Sequence, residues 1–456
     1  MQKYYLSFTL RRDASSKFGE KVRWGTFPSY ALAWTFSEEG FMDFTRGFLD
    51  YGKLRVSYGK SGRQFDQPYI ALGQLRVDDP LLGKPTVVPN LQLGLMNRDL
   101  TWEETDQYDF GLDLDMLDHR LSVTLDYYYR YTDKLIYPVR LPGNYSGYMQ
   151  QWRNAYAISN EGVELEVKYD IIRNDKLSWD ASFNIARNWN RLEKSENDRD
   201  LYTENSINNV SVIGKPLNGI YVLKTRGIYQ DASEVPAIYK DGKYTQLGSG
   251  VQYYRPGDRV IVDTDGDGRI NSSSMDDRVY AGSPLPLASG GITTSLSWKG
   301  FDLNMLFNYV ISRHILNAGR GASVGTSPGL SASDVVKPVF EDLSAVTFWK
   351  KPGDKTDYPA NRMENGLSNF ATNISANVEN VSFIKLKTVT LGYTLPGTVR
   401  KKIGFGVRVF VSAENLFTVT NYSGADPESV DVVTGIDYLG NYPLSKRVTL
   451  GLTLNL

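Results

Sequence analysis

Hydrophobic and polar residues alternate with a period of two along most of the chain. The run 107–116 is the clearest case, because Tyr108, Phe110 and Leu112 share one face while polar or small residues fill the other. Such alternation predicts a β-strand with one apolar and one polar face. A short turn at 117–120 leads into a second alternating strand, 121–131. Each arm of this hairpin has about ten residues, the length that a tilted strand needs to cross a bilayer.

The alternation recurs often enough to predict about twelve strands. Further strands begin near residues 4, 30, 163, 177, 292, 301, 389, 407 and 447. Short turns at 117–120 and 299–300 alternate with long insertions at 61–100, 193–288 and 312–380. Aromatic residues stand repeatedly at the strand ends, as in the girdles of outer-membrane barrels. We therefore predict an all-β fold, an antiparallel transmembrane β-barrel with long extracellular loops.

A β-sandwich is the alternative fold, because a half-buried sandwich strand also alternates. Such a protein would be secreted or surface-exposed and would bind carbohydrate. The barrel is favoured by the many charges on the polar faces, which suit a water-filled lumen. It is also favoured by the contrast between very short turns and long insertions. Dependence of solubility on detergent would separate the two folds.

Composition argues against several function classes. Lys and Arg total 51 and Asp and Glu total 52, so the chain lacks the basic excess that nucleic-acid binding requires. Cysteine is absent, which excludes disulfides, a thiol nucleophile and thiolate zinc sites. Only His119 and His314 are available for histidine chemistry. We find no phosphate loop or nucleophile elbow and do not expect an enzyme.

The segment 263–270 has the spacing of an EF-hand-type calcium loop. Its first, third and fifth positions are Asp263, Asp265 and Asp267, and its sixth is Gly268. Calcium takes roughly six to eight oxygen ligands, and alternate carboxylates in a tight loop converge on one point.

The remaining ligands of this loop are less regular. The backbone carbonyl of Arg269 would be the seventh-position ligand, and the twelfth position is Ser274 rather than glutamate. Asp276 and Asp277 follow and could close the site if the loop is longer. We predict a structural calcium ion held by Asp263, Asp265, Asp267, Arg269 and Asp277; an acidic turn that binds nothing is the alternative. The loop lies in the insertion 193–288, which we expect to form an extramembrane subdomain.

Short motifs distributed along the whole chain add a resemblance. They comprise 11–19, 24–29, 102–105, 109–113, 160–165, 257–258, 282–284, 298–303 and 391–396. The most specific are Ser-Ala-Glu-Asn-Leu-Phe-Thr at 412–418 and Asp-Pro-Glu at 426–428. In this order the motifs resemble the C-terminal part of the SusC/RagA family of TonB-linked outer-membrane transporters of Bacteroidetes.

The resemblance implies import of a glycan, a peptide or a similar nutrient across the cell outer membrane. It implies a plugged barrel of about 22 strands in contact with outer-membrane lipid. Its implied partners are TonB and a SusD-like lipoprotein, and the family's Asp/Gly loop resembles a cation site. In the family a signal peptide, a TonB box, a plug and earlier strands precede the matching region. We therefore expect residues 1–456 to be the C-terminal portion of the barrel, a fragment or truncated gene product that alone neither closes the barrel nor transports.

Overall fold

The computed structural model describes residues 3–91, 93–202, 208–235, 237–240, 243–246, 248–249, 252–268, 270–271, 274–320, 346–361, 371–438 and 441–455. Twelve long strands form one antiparallel sheet in which each strand pairs with its neighbours in the chain. They are β1 (Tyr4–Ala14), β2 (Trp24–Trp34), β3 (Leu49–Arg63), β4 (Glu103–Met116), β5 (Leu121–Arg140), β6 (Gln150–Arg173), β7 (Leu177–Lys194), β8 (Ala288–Trp298), β9 (Phe301–Asn317), β10 (Val378–Thr394), β11 (Gly406–Glu414) and β12 (Arg447–Asn455). The prediction of about twelve antiparallel strands in an all-β fold is confirmed.

The register places apolar side chains in rows across one face of the sheet, which we call the outer face. One row runs through Leu6, Leu32, Val56, Phe110, Tyr127 and Val163, each opposite the next. These side chains remain exposed, from 37% for Val163 to 82% for Leu6. In a sandwich a second sheet would cover this face. The β-sandwich alternative is therefore wrong.

Aromatic side chains mark both ends of the apolar band. At one end Phe8, Tyr30, Tyr58, Tyr108 and Tyr129 follow each other across five strands, with ring centres 5.0 to 6.4 Å apart. We call this row the aromatic belt. Near the other end the outer face carries another group of aromatic residues, Trp179, Trp298, Phe301 and Tyr393. Two aromatic borders on an apolar band are typical of a membrane-spanning barrel wall.

The opposite, inner face is polar and ion-paired. Arg55 Nε lies 2.7 Å from Asp113 Oδ2, and Arg55 Nη2 lies 2.9 Å from Asp126 Oδ1. A Cβ atom at Gly111, which is opposite Arg55 in the register, would collide with the Arg55 guanidinium and with Asp126 Oδ1. Arg408 forms a similar two-pronged pair with Asp302. This face therefore suits contact with water or polar protein rather than lipid.

The longest connections all lie at one end of the sheet, and the shortest turns all lie at the other. One end carries the segments 35–48, 117–120, 174–176, 299–300 and 395–405. The other end carries 15–23, 64–102, 141–149, 195–287, 318–377 and 415–446. Three long insertions were predicted from the sequence, whereas 415–446 was not. Long loops on the extracellular side and short turns on the periplasmic side are the barrel arrangement.

Helices are few and short. In the described ranges they are α1 (Gly143–Ser146), α2 (Gly397–Ile403), the helical residues 318–320 and the 3₁₀ turns Phe36–Glu38, Gly40–Thr45, Glu196–Asp198 and Ser375–Asn377. In the described ranges, no helix combines the length and the apolar character needed to cross a membrane.

The long connections contain short strands of their own. Leu75–Leu81 pairs with Lys84–Pro89, Thr225–Ile228 with Arg259–Ile261, Ala237–Lys240 with Lys243–Gln246, and Gly248–Ser249 with Gln252–Tyr253. Leu201–Tyr202, Asn209–Ser211, Gly219–Leu223 and Arg278–Gly282 form a four-stranded sheet, whereas Thr418–Thr420 joins β10 and Ile436–Asp437 joins β9.

Neighbouring long connections share a hydrophobic core. Leu223, Tyr254 and Ile270 from 195–287 pack together with Ile374 from 318–377. The Leu223 N–H also donates to the Asn373 carbonyl at 3.0 Å. The segment 195–287 therefore buries its apolar residues partly against the next connection, and both are held over one end of the sheet.

Candidate functional site

Three of the predicted calcium ligands lie together in the structure. Ligand oxygens of Asp263, Asp265 and Asp267 all lie within 4.8 Å of one another. They form a single group of this kind within the part of the chain that the structure describes. Because all three ligands are carboxylates, the group suits a hard cation such as calcium.

The loop backbone is what brings these carboxylates together. Asp263 accepts hydrogen bonds from the Gly266 and Gly268 N–H groups, both at 2.8 Å. Gly266 and Gly268 have φ angles of 76° and 80°, a left-handed conformation that favours glycine. The alternation of aspartate with glycine therefore has a conformational reason in addition to any ligand role.

Asp277 has a different position from the other predicted ligands. It is 1% exposed, and its carboxylate accepts hydrogen bonds from the Thr264 N–H at 3.0 Å and the Asn271 N–H at 2.7 Å. Asp277 thus ties both ends of the loop together and lies outside the three-carboxylate group. Burial raises the pKa of Asp277, and the charges of Asp265 and Asp263 add to this, whereas the two N–H groups oppose it. Arg269 lies outside the described residues.

A buried ionic cluster at the same end of the sheet was not predicted from the sequence. Lys385 Nζ in β10 lies 2.9 Å from Asp426 Oδ2 and 2.9 Å from Glu428 Oε2. Lys387 Nζ lies 2.8 Å from Glu428 Oε1. The sequence does hold a signal for it: the lysines are two residues apart on one strand, and the acids of the 426–428 motif have the same spacing.

Further contacts fix the connection 415–446 to the sheet. The buried Tyr422 hydroxyl donates to Asp437 Oδ2 at 2.6 Å. Arg313 in β9 is 4% exposed and donates from Nη2 to the Asp431 carbonyl at 3.0 Å. Tyr422 also packs with Ile315 and Val381 from β9 and β10. The connection 415–446 is therefore packed against the end of the sheet that bears the long connections. Polar contacts and apolar packing both hold it there.

Comparisons with known proteins all point to the same family. The family model described as "TonB dependent receptor-like, beta-barrel" matches residues 2–309. TonB-dependent receptor P3 of Formosa agariphila is 30% identical over 471 residues, which cover 99% of this chain and 44% of that protein. TonB-dependent receptor SusC of Bacteroides thetaiotaomicron is 29% identical, and the match covers 100% of this chain and 42% of SusC.

A solved structure shares the fold. The structure of the RagAB peptide transporter superposes with a TM-score of 0.79 at 26% identity, covering 100% of this chain and 46% of the matched chain. The chain thus spans less than half the length of the relatives it matches. The resemblance to the SusC/RagA transporters is confirmed, and the antiparallel sheet is the barrel wall of that fold. The chain belongs to the TonB-dependent receptor β-barrel family.

Proposed function

We propose that residues 1–456 form part of the wall of an outer-membrane importer that takes up glycans, peptides or similar nutrients with energy from TonB. The observation that carries this proposal is the two-faced twelve-stranded sheet. Its outer face is apolar and edged by aromatic residues, its inner face is ion-paired, and the longest connections lie at one end. Lipid on one side and a polar passage on the other account for all three features.

The relatives support the class of activity, and one of them supports a peptide as one of the possible substrates. The RagAB structure is that of a peptide transporter, and SusC is a TonB-dependent receptor. We propose a SusD-like lipoprotein as the partner at the extracellular mouth, where the long connections lie. The insertion 193–288 belongs to this extramembrane layer in our proposal.

We also propose that the Asp263 loop holds a structural calcium ion. Its support is the approach of three carboxylates within 4.8 Å, which leaves like charges close together unless a cation balances them. Asp263, Asp265 and Asp267 would be the direct ligands, with the Arg269 carbonyl as a further one. Asp277 would hold the loop closed around them through its backbone hydrogen bonds.

Uptake by whole cells tests the importer proposal. In the bacterium that carries this gene, the gene would be deleted and restored, and uptake of a labelled peptide mixture and a labelled oligosaccharide mixture would be compared. We expect one mixture to depend on the gene, and this uptake to stop when a protonophore collapses the proton gradient. Unchanged uptake of both mixtures, or a wild-type protein absent from the outer-membrane fraction, would contradict the proposal.

A further inference from the structure

One apolar row of the outer face ends in a charged residue. The row through Leu6, Leu32, Val56, Phe110, Tyr127 and Val163 continues across β7 to Arg187, which lies opposite Val163. Arg187 is exposed on this face. A cation on a lipid-facing surface is costly unless it reaches the headgroup region or a counter-ion.

Arg187 has an aromatic neighbour but no acidic partner. Its guanidinium carbon lies 4.4 Å from the centre of the Trp189 ring, two residues further along the same face. Across the described ranges no carboxylate forms a salt bridge with it. Glu161 is opposite Trp189 in the register, and its carboxylate instead accepts a hydrogen bond from the Tyr127 hydroxyl at 3.4 Å. The described residues therefore leave the positive charge of Arg187 without a carboxylate in salt-bridge contact.

The depth of this residue identifies what lies beside it. Trp189 extends the aromatic belt, because Tyr108 faces Tyr129, Tyr129 faces Glu161, and Glu161 faces Trp189. This belt is at the end of the sheet that bears the longest connections. In a barrel, that is the boundary between the hydrocarbon and the headgroups of the outer leaflet.

A second arginine follows on the other side of the tryptophan. Arg191 stands two residues beyond Trp189 on the same face, and its side chain is 53% exposed. Its contact with Glu193 is long, at 3.9 Å. Arg187 and Arg191 therefore flank Trp189 from below and above the belt, and both guanidinium groups are accessible from the lipid side.

We propose that Arg187 and Arg191, with Trp189 between them, bind phosphate groups of the lipopolysaccharide that forms the outer leaflet. The planar guanidinium fork matches phosphate oxygens, and the lipid phosphate supplies a counter-charge for Arg187, which forms no salt bridge in the described ranges, and a second one for Arg191 beside its long contact with Glu193. The indole ring covers the arginine stem at the level where amphipathic rings are favoured. This inference rests on the proposed location of the protein in the outer membrane.

Native mass spectrometry of the protein, extracted from its own outer membrane in mild detergent, tests the site. Wild-type protein is expected to retain lipopolysaccharide, and the double variant Arg187→Gln/Arg191→Gln to retain about tenfold less. Arg187→Lys keeps the charge but loses the fork, and should give an intermediate loss. Wild-type protein offered phosphatase-treated lipopolysaccharide should retain about tenfold less than with the phosphorylated form, and this arm requires no variant to fold.

Lys299→Gln is the matched control. Lys299 Nζ lies 5.1 Å from the centre of the Trp298 ring, which is the same kind of contact at the short-turn end of the sheet, away from the outer leaflet. This variant should retain lipopolysaccharide as the wild type does. The site is refuted if the double variant loses no more lipid than Lys299→Gln, or if removing the phosphates has no effect. Fractionation of the wild-type protein reports separately on the outer-membrane location.

Discussion

Lys385 Nζ and Asp426 Oδ2 lie 2.9 Å apart, and their side chains are only 3% and 7% exposed. The pair joins β10 to the connection 415–446, 41 residues further along the chain. Asp426 also accepts a hydrogen bond from the Leu444 N–H at 3.2 Å, so a single carboxylate links the interior of this connection both to β10 and to the residues just before β12. The buried pair is therefore a structural anchor that holds the connection 415–446 against β10.

Removing Asp426 should release this anchor. Asp426→Ala leaves the buried Lys385 ammonium with Glu428 as its remaining acidic partner, and loss of one member of a buried pair typically costs about 3–5 kcal/mol. We expect faster hydrogen exchange throughout 415–446. Glu414→Ala is the control, because Glu414 lies 3.8 Å from Arg447 with side chains 46% and 68% exposed. Loss of that surface pair should lower the free energy of unfolding by less than about 1 kcal/mol. Equal effects of the two changes would contradict the anchor.

The stabilisation that this anchor provides should be lost in acid and should not change around neutral pH. Burial by itself raises the pKa of Asp426, but the hydrogen bonds from Lys385 and from two backbone N–H groups outweigh it, so the pKa of Asp426 lies below its usual range. The stabilisation is therefore complete above the ordinary aspartate pKa of about 3.9 and is lost as pH falls through the lower folded value. Protection factors of 415–446 should stay constant down to roughly pH 5 and fall only below about pH 4. A loss centred near neutral pH would be inconsistent with this assignment.

Charge on the outer face of β5 should be far more damaging than charge on the inner face. Leu125 lies between Leu112 and Leu165 on the outer face, and Thr124 lies between Asp113 and Glu166 on the inner face. Leu125→Arg should cost about 2–4 kcal/mol near the bilayer midplane. Thr124→Arg should be mild because it gains two acidic neighbours. Unfolding in lipid vesicles measures both, and similar losses would argue against lipid contact at Leu125.

Calcium binding should depend on the three-carboxylate group of Asp263, Asp265 and Asp267. Asp265→Ala removes one ligand and should reduce calcium affinity at least about tenfold from the range of about 10⁻⁴–10⁻³ M that weak extracellular sites show. Titration calorimetry on the purified protein measures this. Asp276→Ala is the control, since Asp276 bonds Ser274 and lies outside the group. The absence of any calcium heat in the wild type, or equal losses in both variants, would count against the ion.

A glycine of the inner face makes room for a tyrosine of the next strand. A Cβ atom at Gly162 would lie 2.5 Å from the Tyr128 ring, whose hydroxyl donates to Asn188 Oδ1 at 2.9 Å. Gly162→Ala should displace the ring, weaken this hydrogen bond and cost about 1–3 kcal/mol. Gly59→Ala, where the nearest atom would be 3.6 Å away, should be neutral or slightly stabilising. Chemical unfolding of both variants decides the matter, and equal stabilities would show that the ring adapts freely.

The sequence alone was sufficient to predict the strands and the approach of the three carboxylates in the Asp263 loop. Alternation is a local property, because side chains of a strand point to opposite sides whatever the strand pairs with. The residues of β4 and β5 therefore showed their faces and their turn without any tertiary information. Asp263, Asp265 and Asp267 converge for a similar reason: glycines within the same short loop fix its backbone.

Only the tertiary structure decided which distant residues meet. Asp277 was predicted as a ligand, and only the structure shows that its carboxylate accepts hydrogen bonds from both ends of the loop, at Thr264 and Asn271. The partner of Lys385 depends on how 415–446 returns to the sheet, and the residues that lie beside Arg187 depend on the register of β6 against β7. A shift of one residue in that register would exchange the faces. The sequence by itself therefore determined the local, period-two architecture of a barrel wall, whereas its ionic anchors and the position of Arg187 beside Val163 on the outer face arise from pairings between strands and loops that no local pattern specifies.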